Sequence, residues 1–232
     1  MPEYGRYCPV SIATEVVADR WTPLILREML LGNVRFNDIA RGMPGISRSL
    51  LVSRLRHLER KGVVETWPSA SGRGSEYHLT PAGKDLEPII ESLGKWAVTW
   101  FLDEIHVHEI DPVTLTWWMH RRTRPDRFPP HRTVIEFRHT APKAQTIWLM
   151  LEHGTASVCT THPGFDVDLV VSATTAALSE VFNGHTHWMH AVESGAIEIA
   201  GPPRLVKAFP TWFLWSPFAD AVRDQLARRE GG

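Results

Sequence analysis

Three groups of side chains have the types and spacing to do chemistry. The first lies between residues 47 and 60. Ser49, Ser53, Arg56 and Arg60 share one side of a helix predicted to start at Ser47 and stop at Gly62, with Arg48 and Val52 at its edge. Ile46, Leu51, Leu55 and Leu58 recur on the opposite side. A helix divided this way buries one face and offers guanidinium and hydroxyl groups to base edges and phosphates in a DNA major groove. Ser47 is its cap. Arg48, Ser49, Val52 and Ser53, near the N-terminal end, are the candidates for reading bases, Arg56 for bases or phosphate, and Arg60 completes the basic face.

The second group is a thiol. Cys8 has Arg6 as a near neighbour, and a nearby cation together with accessibility makes a thiol a redox sensor. Cys159 falls in a strand-like run and reads as core. The third group is imidazole. GHTHWMH brings His185, His187 and His190 together, and His106 and His108 lie further upstream. No cysteine or carboxylate set with ligand spacing accompanies them, so no metal is expected. There is no nucleophile elbow, phosphate loop or carboxylate pair in a hydrolytic context, and neither enzymatic activity nor a cofactor is expected.

The bulk properties are those of an ordinary globular protein, with 43% hydrophobic and 22% charged residues in 232. No apolar run approaches the roughly 18 residues of a membrane span, and MPEYGRYCPV lacks a secretory pattern. Two cysteines fit a reducing cytoplasm rather than a disulfide framework. The net charge is −1, yet eight basic residues stand against three acidic ones between Arg35 and Ser75. That local excess is the footprint expected for double-stranded DNA as a partner; a solvated helix face is the alternative.

The elements that must position these groups are punctuated clearly. Thr22-Pro23 reads as a cap and first turn for LILREMLL, and Asn37 as the cap of DIARGM. The basic helix follows the Pro44-Gly45 turn. VVETW (63–67) and EYHL (76–79) are strand-like and flank SASGRGS, a small, flexible tip that makes a wing with Arg73 reaching DNA backbone or minor groove. Thr80-Pro81 opens one long helix, AGKDLEPIIESLGKWAVTWFLDE. The segment 104–112 breaks the helical period, so the first domain is placed at 1–103 and the second at 113–232.

The run from YCPVSIATEVV through RFNDIARGMPGIS, LVSRLRHLERKGVV and EYHLTPAGKDLEPII to Trp96 resembles the HxlR family of bacterial winged helix-turn-helix regulators. Ala18-Asp19-Arg20 stands where that family usually carries a Gly-Lys pair, a departure expected to affect local packing. The resemblance implies a mainly α winged helix-turn-helix domain, and a homodimer on an imperfect palindrome with reading helices roughly 34–36 Å apart. It also bears on Cys8, which in some relatives is a sensor and in others is buried at the dimer interface. Independently, Leu86, Ile89, Ile90, Leu93, Ala97 and Trp100 form an apolar stripe suited to dimerisation or to packing within one subunit.

The second half changes character. TVIEF, TIWLML, ASVCTT and DVDLVV read as strands, TTAALSEVF as a helix ending at Asn183-Gly184, and AIEIA as a further strand before helices opened by Pro202 and Pro217. This is an α+β pattern. DVDLVVSATTAALSEVFNGHTHWMHAVESGAIEIAGPPRLVKAF resembles the sterol-carrier-protein-like fold, which implies an apolar cavity. Seven of the ten tryptophans lie from residue 100 onward. Aromatic side chains line pockets as well as cores, and Trp117, Trp118, Phe182, Trp188 and Trp212 are the pocket candidates. The combined expectation is a cytoplasmic DNA-binding regulator, dimeric and modulated by a small apolar ligand. The rivals are a thiol switch through Cys8 and a hydrophobic-ligand carrier that uses its front domain only to dimerise.

Overall fold

A computed structural model describes residues 7–69 and 74–231. The chain forms two compact units, Met1–Leu93 and Gly94–Gly232. Among the described residues no helix is long and apolar enough to cross a membrane.

The first unit runs α1 (Pro9–Val17), α2 (Thr22–Leu30), α3 (Phe36–Arg41), α4 (Arg48–Arg60), β1 (Val64–Pro68), β2 (Ser75–Leu79) and α5 (Pro81–Lys84), and takes in the start of α6 (Glu87–Phe101). Its core joins Ile25, Leu26 and Met29 of α2 to Ile39 of α3 and to Leu51, Leu55 and Leu58 of α4. The inward face expected of the basic helix is therefore buried, with Ile46 packed at its margin. β1 and β2 form an antiparallel hairpin in which Val64 faces Leu79 and Trp67 faces Glu76. The Tyr77 N–H donates to the Val34 carbonyl at 2.7 Å, tying the hairpin to the segment before α3.

Three local expectations need correction. Thr22 is the first residue of α2, not its cap; it is buried, and its hydroxyl finds no partner among the described residues. Asn37 lies inside α3, whose cap position is Arg35; its side chain is used elsewhere, as described below. The long helix after Thr80 is two helices. Pro88 has no N–H for the Lys84 carbonyl and its ring crowds that group, so the helical ladder breaks at 85–86 and restarts as α6.

The second unit holds the rest of α6, then α7 (Pro112–Arg121), β3 (Thr133–His139), β4 (Gln145–Glu152), β5 (Thr155–Cys159), β6 (Leu169–Ala173), α8 (Thr175–Asn183), α9 (Trp188–Glu193), β7 (Ile197–Ala200), α10 (Pro203–Ala208) and α11 (Ala219–Glu230). Two 3-10 turns, Leu102–Glu104 and Val107–Glu109, occupy the segment where the helical period fails. The strands form one sheet in the order β5-β4-β3-β6-β7, parallel only between β3 and β6. Ile135, Phe137, Leu149, Leu151, Leu169 and Val171 build a single core with apolar residues of α7 and α8. Asp111 caps α7 by accepting from the Val113 and Thr114 N–H groups at 3.0 Å, which explains the Asp-Pro dipeptide.

The division into units falls inside α6, earlier than the 104–112 segment. The reason is packing. Val98 and Leu102 of α6 bury against Val222 of α11, and the Phe218 ring lies so close to Gly94 that a Cβ there would collide with it.

Candidate nucleic-acid interface

The outer face of α4 is where the sequence placed it. Ser47, Arg48, Ser49, Ser53, Arg56 and Arg60 are exposed and Val52 is half-buried. The Ser47 hydroxyl accepts from the Leu50 N–H at 3.2 Å and caps the helix. Arg73, the wing candidate, lies outside the described residues.

The cations of the basic window are not equivalent. Arg54 pairs with Asp19 at 2.6 Å and Lys61 with Glu15 at 3.0 Å, strapping the α1 end of the unit to the flank of α4. Arg41 pairs with Asp38 and Arg35 with Glu76, each at 3.6 Å. Arg48 donates to Asn37 Oδ1 at 2.9 Å and lies 5.1 Å from the Phe36 ring centroid, so it is braced against α3 while remaining exposed. Arg56 and Arg60 have no ion-pair partner among the described residues; they stand on the same face as Ser49 and Ser53. Asp19 accounts for the Ala18-Asp19-Arg20 departure: besides holding Arg54, it accepts from the Trp21 N–H at 3.1 Å.

Two arrangements that fix this face were missed by sequence reasoning. Glu28 of α2 is 1% exposed and accepts from Arg27 at 2.6 Å and from Asn33 at 2.9 Å. Arg27 also donates to the Gly42 carbonyl at 3.1 Å, which ties α2 to the turn between α3 and α4. At the wing, the hydrogen bond from Ser69 and the charge of Arg35 hold the Glu76 carboxyl below the usual carboxylate range. Trp67, half exposed, stacks on His78 at 4.2 Å between ring centroids. Adjacent acidic and basic types at positions 27 and 28 hint at a pair, but nothing in their spacing says that the carboxylate is buried.

The apolar stripe on α6 splits. Ile90 is buried, Leu86 packs beside the first core, and Ala97 is half-buried. Ile89, Leu93, Trp96 and Trp100 form an exposed row, with Trp100 70% exposed. α1 buries none of its residues, and Tyr7, Val10 and Ile12 are exposed. Cys8 is a free, half-exposed thiol at the start of α1 and lines a cavity of about 460 Å³ with Val10 and Thr14.

Of the aromatic candidates in the second unit, Trp117, Phe182 and Trp212 are buried and Trp118 is half-buried, stacked 6.5 Å from Phe182. Phe182, Trp188 and Trp212 belong to the core and Trp118 packs against it. Trp188 also lines two cavities, of about 490 and 290 Å³. Trp215, Lys207 and Arg223 line them as well, and no sequence signal singled these out. Burial lowers the His185 pKa, with Glu180 opposing; His187 and His190 are exposed. Among the described residues no three His, Cys, Asp or Glu side chains gather as a metal-holding group.

A family model for the HxlR-like helix-turn-helix matches residues 16–105. The HTH-type transcriptional regulator YvaP of Bacillus subtilis is 39% identical over 106 residues, spanning 43% of this chain and 97% of YvaP. The HTH-type transcriptional regulator Rv3095 of Mycobacterium tuberculosis is 46% identical over 88 residues, 38% of this chain and 55% of that protein. Among solved structures, the oxidised form of the redox regulator HypR is 33% identical, covering 39% of this chain and 94% of HypR with a TM-score of 0.37. Through its first domain, this chain belongs to the HxlR-like helix-turn-helix family of transcriptional regulators.

Proposed function

We propose that the chain is a cytoplasmic homodimer that reads a near-palindromic DNA site and takes a small apolar ligand in a sterol-carrier-protein-like second domain. The observation that carries the DNA reading is the outer face of α4. The other described cations of the window are drawn off into pairs or braced against neighbours, while Arg56 and Arg60 stand unpaired beside Ser49 and Ser53. Such a face meets phosphates and base edges without first breaking an internal ion pair. Dimerisation is supported by the exposed row on α6 and the uncovered α1, since large exposed apolar patches mark interaction surfaces. The ligand reading is supported by the cavities around Trp188 and by the five-stranded sheet backed by helices. For the ligand to regulate, it must bind one DNA-binding geometry of the dimer more tightly than another.

The test is fluorescence anisotropy on DNA upstream of the chain's own gene across a salt series. Selective binding that weakens steeply with salt and collapses in Arg48→Ala/Arg56→Ala is expected. No binding beyond the non-specific level would leave either a ligand requirement for DNA affinity or the hydrophobic-ligand carrier.

The thiol switch is the second reading. Cys8 is accessible and lies within the uncovered apolar surface of α1, so oxidation there would alter the surface assigned to dimerisation. Under this reading oxidant changes DNA affinity, and Cys8→Ser abolishes the response.

A further inference from the structure

The second unit is acidic except in two segments. Residues 121–132 and 203–212 hold seven Lys or Arg against one acid, Asp126, while the rest of 94–232 holds six against fourteen. The fold brings these segments together. The Arg124 N–H donates to the Trp212 carbonyl at 2.7 Å, the Leu214 N–H donates to the Arg122 carbonyl at 2.7 Å, and Thr123 pairs with Phe213 between them. A 3-10 turn, Pro125–Arg127, packs against a second, Phe209–Trp212, which continues directly from α10.

Some of these cations serve the fold. Arg122 Nε donates to the Trp215 carbonyl at 2.7 Å. Arg132 pairs with Glu152 at 2.6 Å and lies 3.8 Å from the Phe165 ring centroid. Arg124 and Arg127 are different. They share Asp126, at 3.7 and 3.3 Å, so two guanidinium groups face one carboxylate and positive charge is left over. Asp126 is 64% exposed, which makes both pairs weak. On α10, Arg204 and Lys207 stand three residues apart on one face. Both are exposed, and neither has an ion-pair partner among the described residues. Pro125, Pro129 and Pro130 restrict the chain between α7 and β3, so little freedom is left to lose on binding.

We infer that this face is a second DNA contact, in which Arg124, Arg127, Arg204 and Lys207 meet backbone phosphates outside the site read by α4. The inference rests on the DNA-binding reading of the first domain and adds a sequence-independent contact from the second. A phosphate oxygen accepts from an arginine fork as a carboxylate does, so it takes the place of Asp126 at little cost. The acidic remainder of the unit repels a polyanion, which leaves this face as the way in.

Fluorescence anisotropy of the full-length chain on a random-sequence duplex of about 40 base pairs, roughly four helical turns, tests it across a salt series. Arg124→Gln/Arg127→Gln should lower the slope of log affinity against log salt by about two per bound chain. Asp126→Asn should act in the opposite direction and tighten binding about two- to fivefold. A gain of affinity cannot come from misfolding. Lys143→Gln removes an exposed charge between β3 and β4, outside both segments, and should leave the slope unchanged. A wild-type slope in Arg124→Gln/Arg127→Gln overturns the inference. So does a Lys143→Gln slope that falls as far per charge, since the attraction is then to net charge alone. If Arg56→Ala/Arg60→Ala lowers the slope and the strap variant does not, this inference falls and the α4 reading stands. If the wild-type chain binds no duplex, both fall.

Discussion

Gly42 shows how little of a single residue's role need be visible in its type. It follows α3 with an ordinary φ of −73°, so no special backbone conformation calls for glycine. What it supplies is space, because a Cβ would enter the buried Glu28 carboxylate that Arg27 and Asn33 hold in place. Gly42→Ala should destabilise the first domain by about 1–3 kcal/mol, read as a lowered thermal midpoint, and should weaken DNA binding by shifting the turn that sets α4. His139 is the corresponding residue in the second domain. It is 3% exposed, 3.1 Å from the Thr175 hydroxyl, and burial lowers its pKa from 6.5 to about 4 against the opposing charge of Asp111. The folded protein therefore keeps the imidazole neutral while the unfolded chain takes up a proton below pH 6.5. Above that pH the group adds no pH dependence. As pH falls toward 4 stability should drop, by at most about 3 kcal/mol. Urea unfolding of wild type and His139→Gln at several pH values should show this part of the slope disappear in the variant. Neither residue was legible beforehand: a glycine near a turn and a histidine in a strand have many bland explanations.

At the scale of elements, most of the fold was legible because periodicity and punctuation agree. Leu51, Leu55 and Leu58 are buried, Ser47 caps α4, and Gly184 ends α8 at a φ of 88°. The failures came where two signals competed. Thr-Pro reads as a cap and first helical residue, yet Thr22 is inside its helix and buried. The helical period runs straight through Pro88, although its missing N–H is a definite break. The apolar stripe on α6 has a single helical period yet serves separate purposes: Ile90 packs in the first core, and Leu93, Trp96 and Trp100 remain exposed. Under the proposed dimer, Leu93→Asp should spare folding and weaken self-association by more than about tenfold, since a charge would be buried where that reading places an apolar contact; analytical ultracentrifugation reads this directly. Gly94→Val should have the opposite profile. It forces Phe218 away and lowers the stability of the α6–α11 contact by about 1–3 kcal/mol, with denaturant unfolding as the measure.

For the whole molecule, the order of the two domains and the place of the basic helix followed from the sequence, but most of the residues that line the cavities of the second did not. All five of its aromatic candidates serve in or around the core and Trp188 alone of them lines these cavities; composition cannot tell a ring that fills a core from one that lines a void. Lys207, Trp215 and Arg223, which line the cavities as well, come together only through the fold. The regulator reading predicts that DNA affinity falls linearly with salt on a logarithmic scale, and that removing Arg56 or Arg60 reduces that slope by about one each. The position of α6 carries one more consequence. Its first turns are anchored in one hydrophobic core and its last in another, so neither domain owns it. A protease nick or a recombination breakpoint at 104–112 would leave the last turns of α6 on one fragment with Val98 and Leu102 uncovered, and would leave α11 on the other with Val222 bare. Both pieces should then be sticky and poorly soluble. An exchange of reading heads between such regulators would succeed only by bringing its own α11, or by rewriting that helix's inner face to suit the newcomer.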